Sequence, residues 1–154
     1  MRRLARDPDK RASDGRPRRE TCLGLQCSLL PVLALLIAVM RVANYRFYSP
    51  EDIDGSGLTN PTPQVQVLRA LLQNTLEQAV LAVAAYLARA AAMPLGWLRA
   101  IPVAAGLFIA GRVLFARGYR KGAAGRAMGF GLTMYSTAAL LATLIAVLCY
   151  RALA

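Results

Sequence analysis

Four apolar runs constrain this chain more than any other feature: Cys22 to Ala43, Val65 to Ala91, Trp97 to Gly118 and Met128 to Ala152. Each is about 20 residues or longer, and at 1.5 Å per helical residue each reaches across a hydrocarbon core of roughly 30 Å. Inside such a core, backbone N–H and C=O groups must be paired within a segment or around a closed barrel, so runs of this length predict helices. The expected fold class is all-α, an integral membrane four-helix bundle over residues 21–154, preceded by a basic tail over residues 1–20. Composition agrees, because 56% hydrophobic residues and a mean hydropathy of +0.41 are too apolar for an ordinary soluble domain of 154 residues.

Within the second run, Val67 to Tyr86 reads as a membrane helix with a carboxylate in its middle. Glu77 is the only acidic residue after Asp54. An ionisable side chain at mid-bilayer costs on the order of 3 kcal/mol on insertion scales, so it needs something to offset it. At about 100° per residue, Gln66, Arg69, Gln73, Asn74, Glu77 and Gln78 share one half of the helix surface, with Glu77 near its centre. Leu68, Leu71, Leu72, Leu76 and Ala79 occupy the opposite half. Such a stripe has two readings, a ligand site or a hydrogen-bonded seam between helices.

The net charge of +11 is not distributed as in a nucleic-acid binder: eight of the nineteen Lys and Arg residues precede residue 20, and most others sit at helix ends. The tail lacks any apolar run and is expected to be disordered, serving as a topology signal that favours a cytoplasmic N-terminus, with binding to anionic lipid head groups as the alternative. Between the first two runs, Tyr45, Phe47 and Tyr48 suit a membrane interface, and residues 51–63 form a long polar loop dense in turn formers. Asp52-Ile-Asp54-Gly-Ser lacks the remaining ligands and the closing Glu of a calcium loop. Cys22, Cys27 and Cys149 form no CxxC pair and no histidine is present, so no metal site is expected and a Ser-His-Asp hydrolase is excluded.

The third run carries two small-residue ridges, Ala104/Gly111/Gly118 and Gly106/Ala110, which permit close helix approach. Arg112 and Tyr119 are seven residues apart, roughly 20° out of register, and face one direction. Among the groups inside the bundle or at its rim, Glu77 stands against Arg69, Arg112, Arg117, Arg120, Lys121 and Arg126. Arg112 is the expected partner of Glu77, since both are set deep in apolar helices. Arg126, placed beside the positive end of the fourth helix, would help make a pocket for an anion at the membrane boundary. Arg117, Arg120 and Lys121 read as side chains that snorkel to head groups.

Leu68-Arg-Ala-Leu-Leu-Gln-Asn74-Thr-Leu-Glu77-Gln, Gly111-Arg112-Val-Leu-Phe-Ala-Arg-Gly-Tyr119 and Arg126-Ala-Met-Gly-Phe-Gly131 together resemble the MAPEG family, membrane-associated proteins in eicosanoid and glutathione metabolism, in a bacterial-type member. The similarity runs over about Val65 to Tyr150. It implies a homotrimer that is multi-pass in the bacterial inner membrane or an equivalent bilayer, with glutathione held between subunits as co-substrate. By position, Asn74, Glu77, Arg112 and Tyr119 match the glutathione-binding residues, with Arg69 and Gln73 as possible additions. Arg126 matches the catalytic arginine that stabilises the thiolate. The chain departs from the pattern at Ala70 and Gln73, where characterised members often carry arginines, at Phe115, which replaces a polar residue of some branches, and at Ala127, where one branch has serine. The implied function is a glutathione transferase or peroxidase acting on a hydrophobic electrophile or lipid hydroperoxide. The rival is a non-catalytic lipid-binding or structural protein of the same fold, and no nucleic acid is expected as a partner.

Overall fold

The computed structural model describes residues 8–55, 58 and 60–154. In chain order the elements are α1 (Pro8–Tyr48), α2 (Pro63–Ala92), a single turn α3 (Leu95–Leu98), α4 (Ala100–Gly118), a 3₁₀ turn over Tyr119–Lys121 and α5 (Gly122–Leu153). No strand occurs among the described residues. Of the N-terminal tail, residues 1–7 lie outside the described residues, and the α1 backbone continues back through residues 8–20. Two stretches are long and apolar enough to cross a membrane on composition alone, Thr21–Tyr48 and Gly96–Leu153, and the second doubles back at the 3₁₀ turn. In α2 the expected apolar run is diluted by Gln73, Asn74, Glu77 and Gln78.

α1 packs along α2 and α4 along α5, and the two pairs join around a core of Tyr86, Leu98, Ile101 and Phe108 set among alanines of α2 and α4. Small residues let these backbones approach without a large apolar filling. The tightest crossing is between α4 and α5. A Cβ added at Gly129 would stand 2.7 Å from both the Gly111 carbonyl oxygen and the Phe115 Cα, so hydrogen is the only side chain this crossing admits. Of the two expected ridges, Ala104/Gly111/Gly118 is buried, whereas Gly106 and Ala110 are exposed and a Cβ at Gly106 meets nothing within 4 Å.

Each end of the bundle is tied by a polar clamp. At one end Asp52 gathers the α1–α2 loop: its carboxylate accepts from the Ser49 hydroxyl (2.9 Å), the Thr62 N–H (2.9 Å) and the Thr62 hydroxyl (2.7 Å). Thr62 in turn caps α2 by accepting from the Val65 N–H. Asp52 thus organises the turn of this loop. Desolvation pushes the Asp52 carboxyl up, but the hydrogen bonds from Thr62 and Ser49 and the Arg46 charge outweigh it and hold the group below its ordinary value. At the other end Arg89, a buried cation that hydropathy did not flag, donates to the Trp97 carbonyl, the Leu140 carbonyl and the Thr143 hydroxyl, with its guanidinium 5.9 Å from the Trp97 ring centre. It joins α2, α3 and α5.

Candidate functional site

The first half of α2 sets the site's register. Asn74 turns inward toward α4, and its Oδ1 accepts from Arg112 Nη1 at 2.7 Å. Arg112 is 7% exposed, and its Nη2 donates to Thr133 of α5 at 2.6 Å. The guanidinium lies 4.7 Å from the Phe115 ring centre and 5.7 Å from that of Phe108. Cation–π contacts in a desolvated setting are worth about 2 kcal/mol, so aromatic faces and neutral oxygens hold this cation. The expected pairing of Arg112 with Glu77 is corrected here. Glu77 is exposed on the outer side of the chain and accepts from Gln73 Nε2 at 2.9 Å. Three residues beyond Asn74, it is turned roughly 60° around the helix, which aims the carboxylate away from α4 while the amide takes the guanidinium.

On that outer side a cleft of about 490 Å³ opens between α2, the 3₁₀ turn and α5, lined by Gln73, Asn74 and Glu77 on one wall and Phe115, Tyr119, Arg126 and Phe130 on the other. Five of the residues singled out from sequence therefore share one cavity: Gln73, Asn74, Glu77, Tyr119 and Arg126. Arg112 reaches it through Asn74. Arg69 does not line it, and is exposed one turn earlier on α2.

The turn into α5 explains the far wall. A Cβ at Gly118 would collide with the Gly125 carbonyl, so this glycine pair lets the chain reverse within a 3₁₀ turn and brings Tyr119 against Arg126. The Arg126 guanidinium stands 5.1 Å from the Tyr119 ring centre, and Tyr119 meets Phe115 edge-on at 5.6 Å. Arg126, Tyr119, Phe115 and Arg112 thus form a column in which two aromatic rings separate two cations. Neither the Tyr119 hydroxyl nor the Arg126 guanidinium has a hydrogen-bond partner among the described residues, so both remain available to a ligand. The fourth helix starts at Gly122, six residues before the expected Met128, so Arg126 lies in its second turn. The helix terminus therefore adds less positive potential at Arg126 than the sequence suggested, and the guanidinium itself is the main source.

One contributor was missed from sequence and another entered only as a departure from the family pattern. Thr133 is fully buried and receives Arg112, while Phe115 is the wall between Arg112 and Tyr119. Thr133 repeats Gly129 one turn on along the face of α5 that meets Gly111, a signal that helical spacing could have supplied.

Residues 21–146 match the MAPEG family, which takes in every element of the cleft. The chain belongs to the MAPEG family. No curated protein and no solved structure matches it. As a member of this family with two strongly apolar stretches, the chain is a membrane protein.

Proposed function

We propose that this MAPEG protein is a membrane-embedded glutathione transferase or peroxidase, and that the cleft beside Glu77 is its glutathione site. The observation that carries the reading is the convergence of Asn74, Glu77, Tyr119 and Arg126 on one cavity with the Arg126 and Tyr119 donors free. A tripeptide with two carboxylates, an amine and a thiol suits a cleft with one acid, one guanidinium, a phenol and two side-chain amides. Arg126 lies beside the sulfur. A thiol of pKa near 8.5 is mostly protonated at neutral pH, and an adjacent guanidinium lowers that value by a unit or more and yields the nucleophilic thiolate. The thiolate then attacks a hydrophobic electrophile that arrives from the bilayer, or the outer oxygen of a lipid hydroperoxide. In the second case the O–O bond breaks, the alkoxide leaves and takes a proton, and a second glutathione converts the resulting sulfenic acid to the disulfide and water.

Four membrane-crossing helices and a homotrimer complete the proposal. In a single chain, Arg69, Gln73 and Glu77 are exposed along α2. A carboxylate facing lipid is costly, so the stripe calls for cover, and a second copy supplies it while closing the open side of the cleft. The test has three parts, all on the purified protein in mild detergent. Mass measurement should give a trimer, and glutathione titration should raise the ultraviolet absorption of a bound thiolate. Arg126→Ala should lose conjugation rate far more than glutathione affinity, and higher pH should partly restore the rate. One pKa unit corresponds to at most tenfold in thiolate, and lost transition-state stabilisation adds about 3 kcal/mol. Unchanged rate and pH profile in Arg126→Ala would reduce this arginine to a head-group anchor. Binding with no thiolate signal would favour the rival reading, a lipid-binding protein of the same fold.

A further inference from the structure

A second cavity, of about 430 Å³, lies across Phe115 from the cleft, between α1, α2 and α4. Its wall is largely apolar, built by Leu30, Leu33 and Ile37 of α1, Leu71 of α2, and Ile109 and Val113 of α4, with Thr75 and Arg112 as its polar members. Cations close one end of it: Arg117 stands in the last turn of α4 and Arg41 about two turns before the end of α1, and among the described residues no acidic side chain lines the groove. From Leu30 to Arg41 is eleven residues, or about 16 Å of helix, which is one leaflet of a hydrocarbon core of roughly 30 Å. At the Arg41 end a shallower groove continues the first and presents Asn44, Tyr45 and Gln64. Gln64 also receives Arg120, which draws a third cation to this rim.

We propose that this groove binds one anionic phospholipid of the surrounding leaflet, with an acyl chain along Leu33 and Ile37 and the phosphate between Arg41 and Arg117. The depth, the apolar wall and the two cations at the interfacial end fit an amphiphile with its charge at the membrane surface. The polar shelf beyond Arg41 holds more donors than a lone carboxylate would use, and a phosphodiester with its glycerol oxygens matches it better. The groove and the proposed glutathione cleft are distinct cavities, although Arg112, which reaches the cleft through Asn74, also lines the groove. Phe115 is a wall of both, so an acyl chain in the groove steadies the ring that spaces Arg112 from Tyr119.

The experiment is native mass spectrometry of the full-length, delipidated protein in detergent, titrated with phosphatidylglycerol, with phosphatidylcholine of identical acyl chains, and with oleate. A basic residue near a membrane surface adds several-fold to anionic lipid affinity, so two should give a preference for phosphatidylglycerol over phosphatidylcholine on the order of tenfold. Arg41→Gln/Arg117→Gln should bring that ratio near unity, and Arg41→Lys/Arg117→Lys should retain most of it. Ala38→Phe, which fills the groove and leaves both arginines in place, should remove the bound phosphatidylglycerol. Equal binding of the two phospholipids would overturn the proposal, as would a preference that survives the Gln pair or Ala38→Phe. Oleate binding as tightly as phosphatidylglycerol would make it a fatty-acid site. An oligomer that takes up no lipid would mean that a second copy covers the groove.

Discussion

Thr133→Val is the sharpest probe of how this fold holds an arginine inside a membrane. The substitution keeps the branched shape at a position with 0% exposure and removes only the oxygen that accepts Arg112 Nη2 at 2.6 Å. Arg112 Nε already lacks a partner, so valine leaves a second nitrogen of the guanidinium unmatched. A buried hydrogen bond to a charged group is worth about 1.5–3 kcal/mol, whereas interhelical hydrogen bonds in membranes average about 0.6 and reach about 1.7. With no carboxylate on Arg112, the upper part of the membrane range applies, about 1.5 kcal/mol. For a chain of this size that is a fall in Tm of roughly 3–6 °C. Thermal unfolding by circular dichroism in one detergent would compare wild type, Thr133→Val, Thr133→Ser, Arg112→Met and the Arg112→Met/Thr133→Val pair. Thr133→Ser should stay within about 0.5 kcal/mol of wild type. The pair should be no less stable than Arg112→Met alone, because valine costs little once the donor is gone. A wild-type melting point for Thr133→Val, or fully additive losses in the pair, would refute the account and mean that water serves the guanidinium.

Gly129→Ala should cost about 1–3 kcal/mol by overpacking the α4–α5 crossing and weaken glutathione binding with it, while Gly106→Ala stays within about 0.5 kcal/mol; melting curves of both variants check this. Glu77→Gln should leave each chain folded, since the carboxylate is exposed, yet lower the trimer fraction and the glutathione affinity in mass and titration measurements. Because the Asp52 carboxyl is held below its ordinary 3.8, its stabilisation is complete above that pH and lost as pH falls through the depressed value. Amide exchange at Thr62 to Gln66 should therefore quicken in strong acid, and Asp52→Asn should quicken it already at neutral pH. Cys22 and Cys149, both exposed and at one end of the bundle, should react with an impermeant maleimide from the same side of sealed vesicles, whereas a cysteine placed at Glu51 reacts from the other.

The helices were legible because apolar runs of membrane length admit few alternatives, and Asn74, Tyr119 and Arg126, singled out by a resemblance in spacing, do line one cavity. What failed was the pairing of charges. Periodicity placed Glu77 and Asn74 on the same half of α2, and charge alone then selected the carboxylate for Arg112. The roughly 60° between them decides the matter, together with the oxygen that Thr133 brings from α5, and neither is encoded within a single helix. Arg89 escaped notice for a related reason. Its partners are two backbone carbonyls and a hydroxyl, and no charge pattern announces those. The start of α5 was misplaced because Gly122 and Gly125 read as part of a connection, whereas Gly125 is small where α4 comes close.

The two ends of the bundle bear on what the cleft-side cations are for. A Cβ at Gly24 would press on Ala90, and Arg151 donates to the Ala92 carbonyl, so the start of α1, the end of α2 and the end of α5 share one end. Arg120 bonded to Gln64 joins the start of α2 to the 3₁₀ turn at the other, the end that holds Tyr119 and Arg126. Arg89, Arg99 and Arg151 belong to the first end, and in the sequence the eight basic residues before residue 20 precede it. A Lys/Arg excess ahead of a first membrane helix favours a cytoplasmic N-terminus. A second set at the opposite end, Arg41, Arg46, Arg117, Arg120, Lys121 and Arg126, works against that asymmetry and weakens the orientation signal. Topology alone would not favour placing them there. An anionic ligand in the cleft and an anionic head group at the groove give these residues a role that orientation does not.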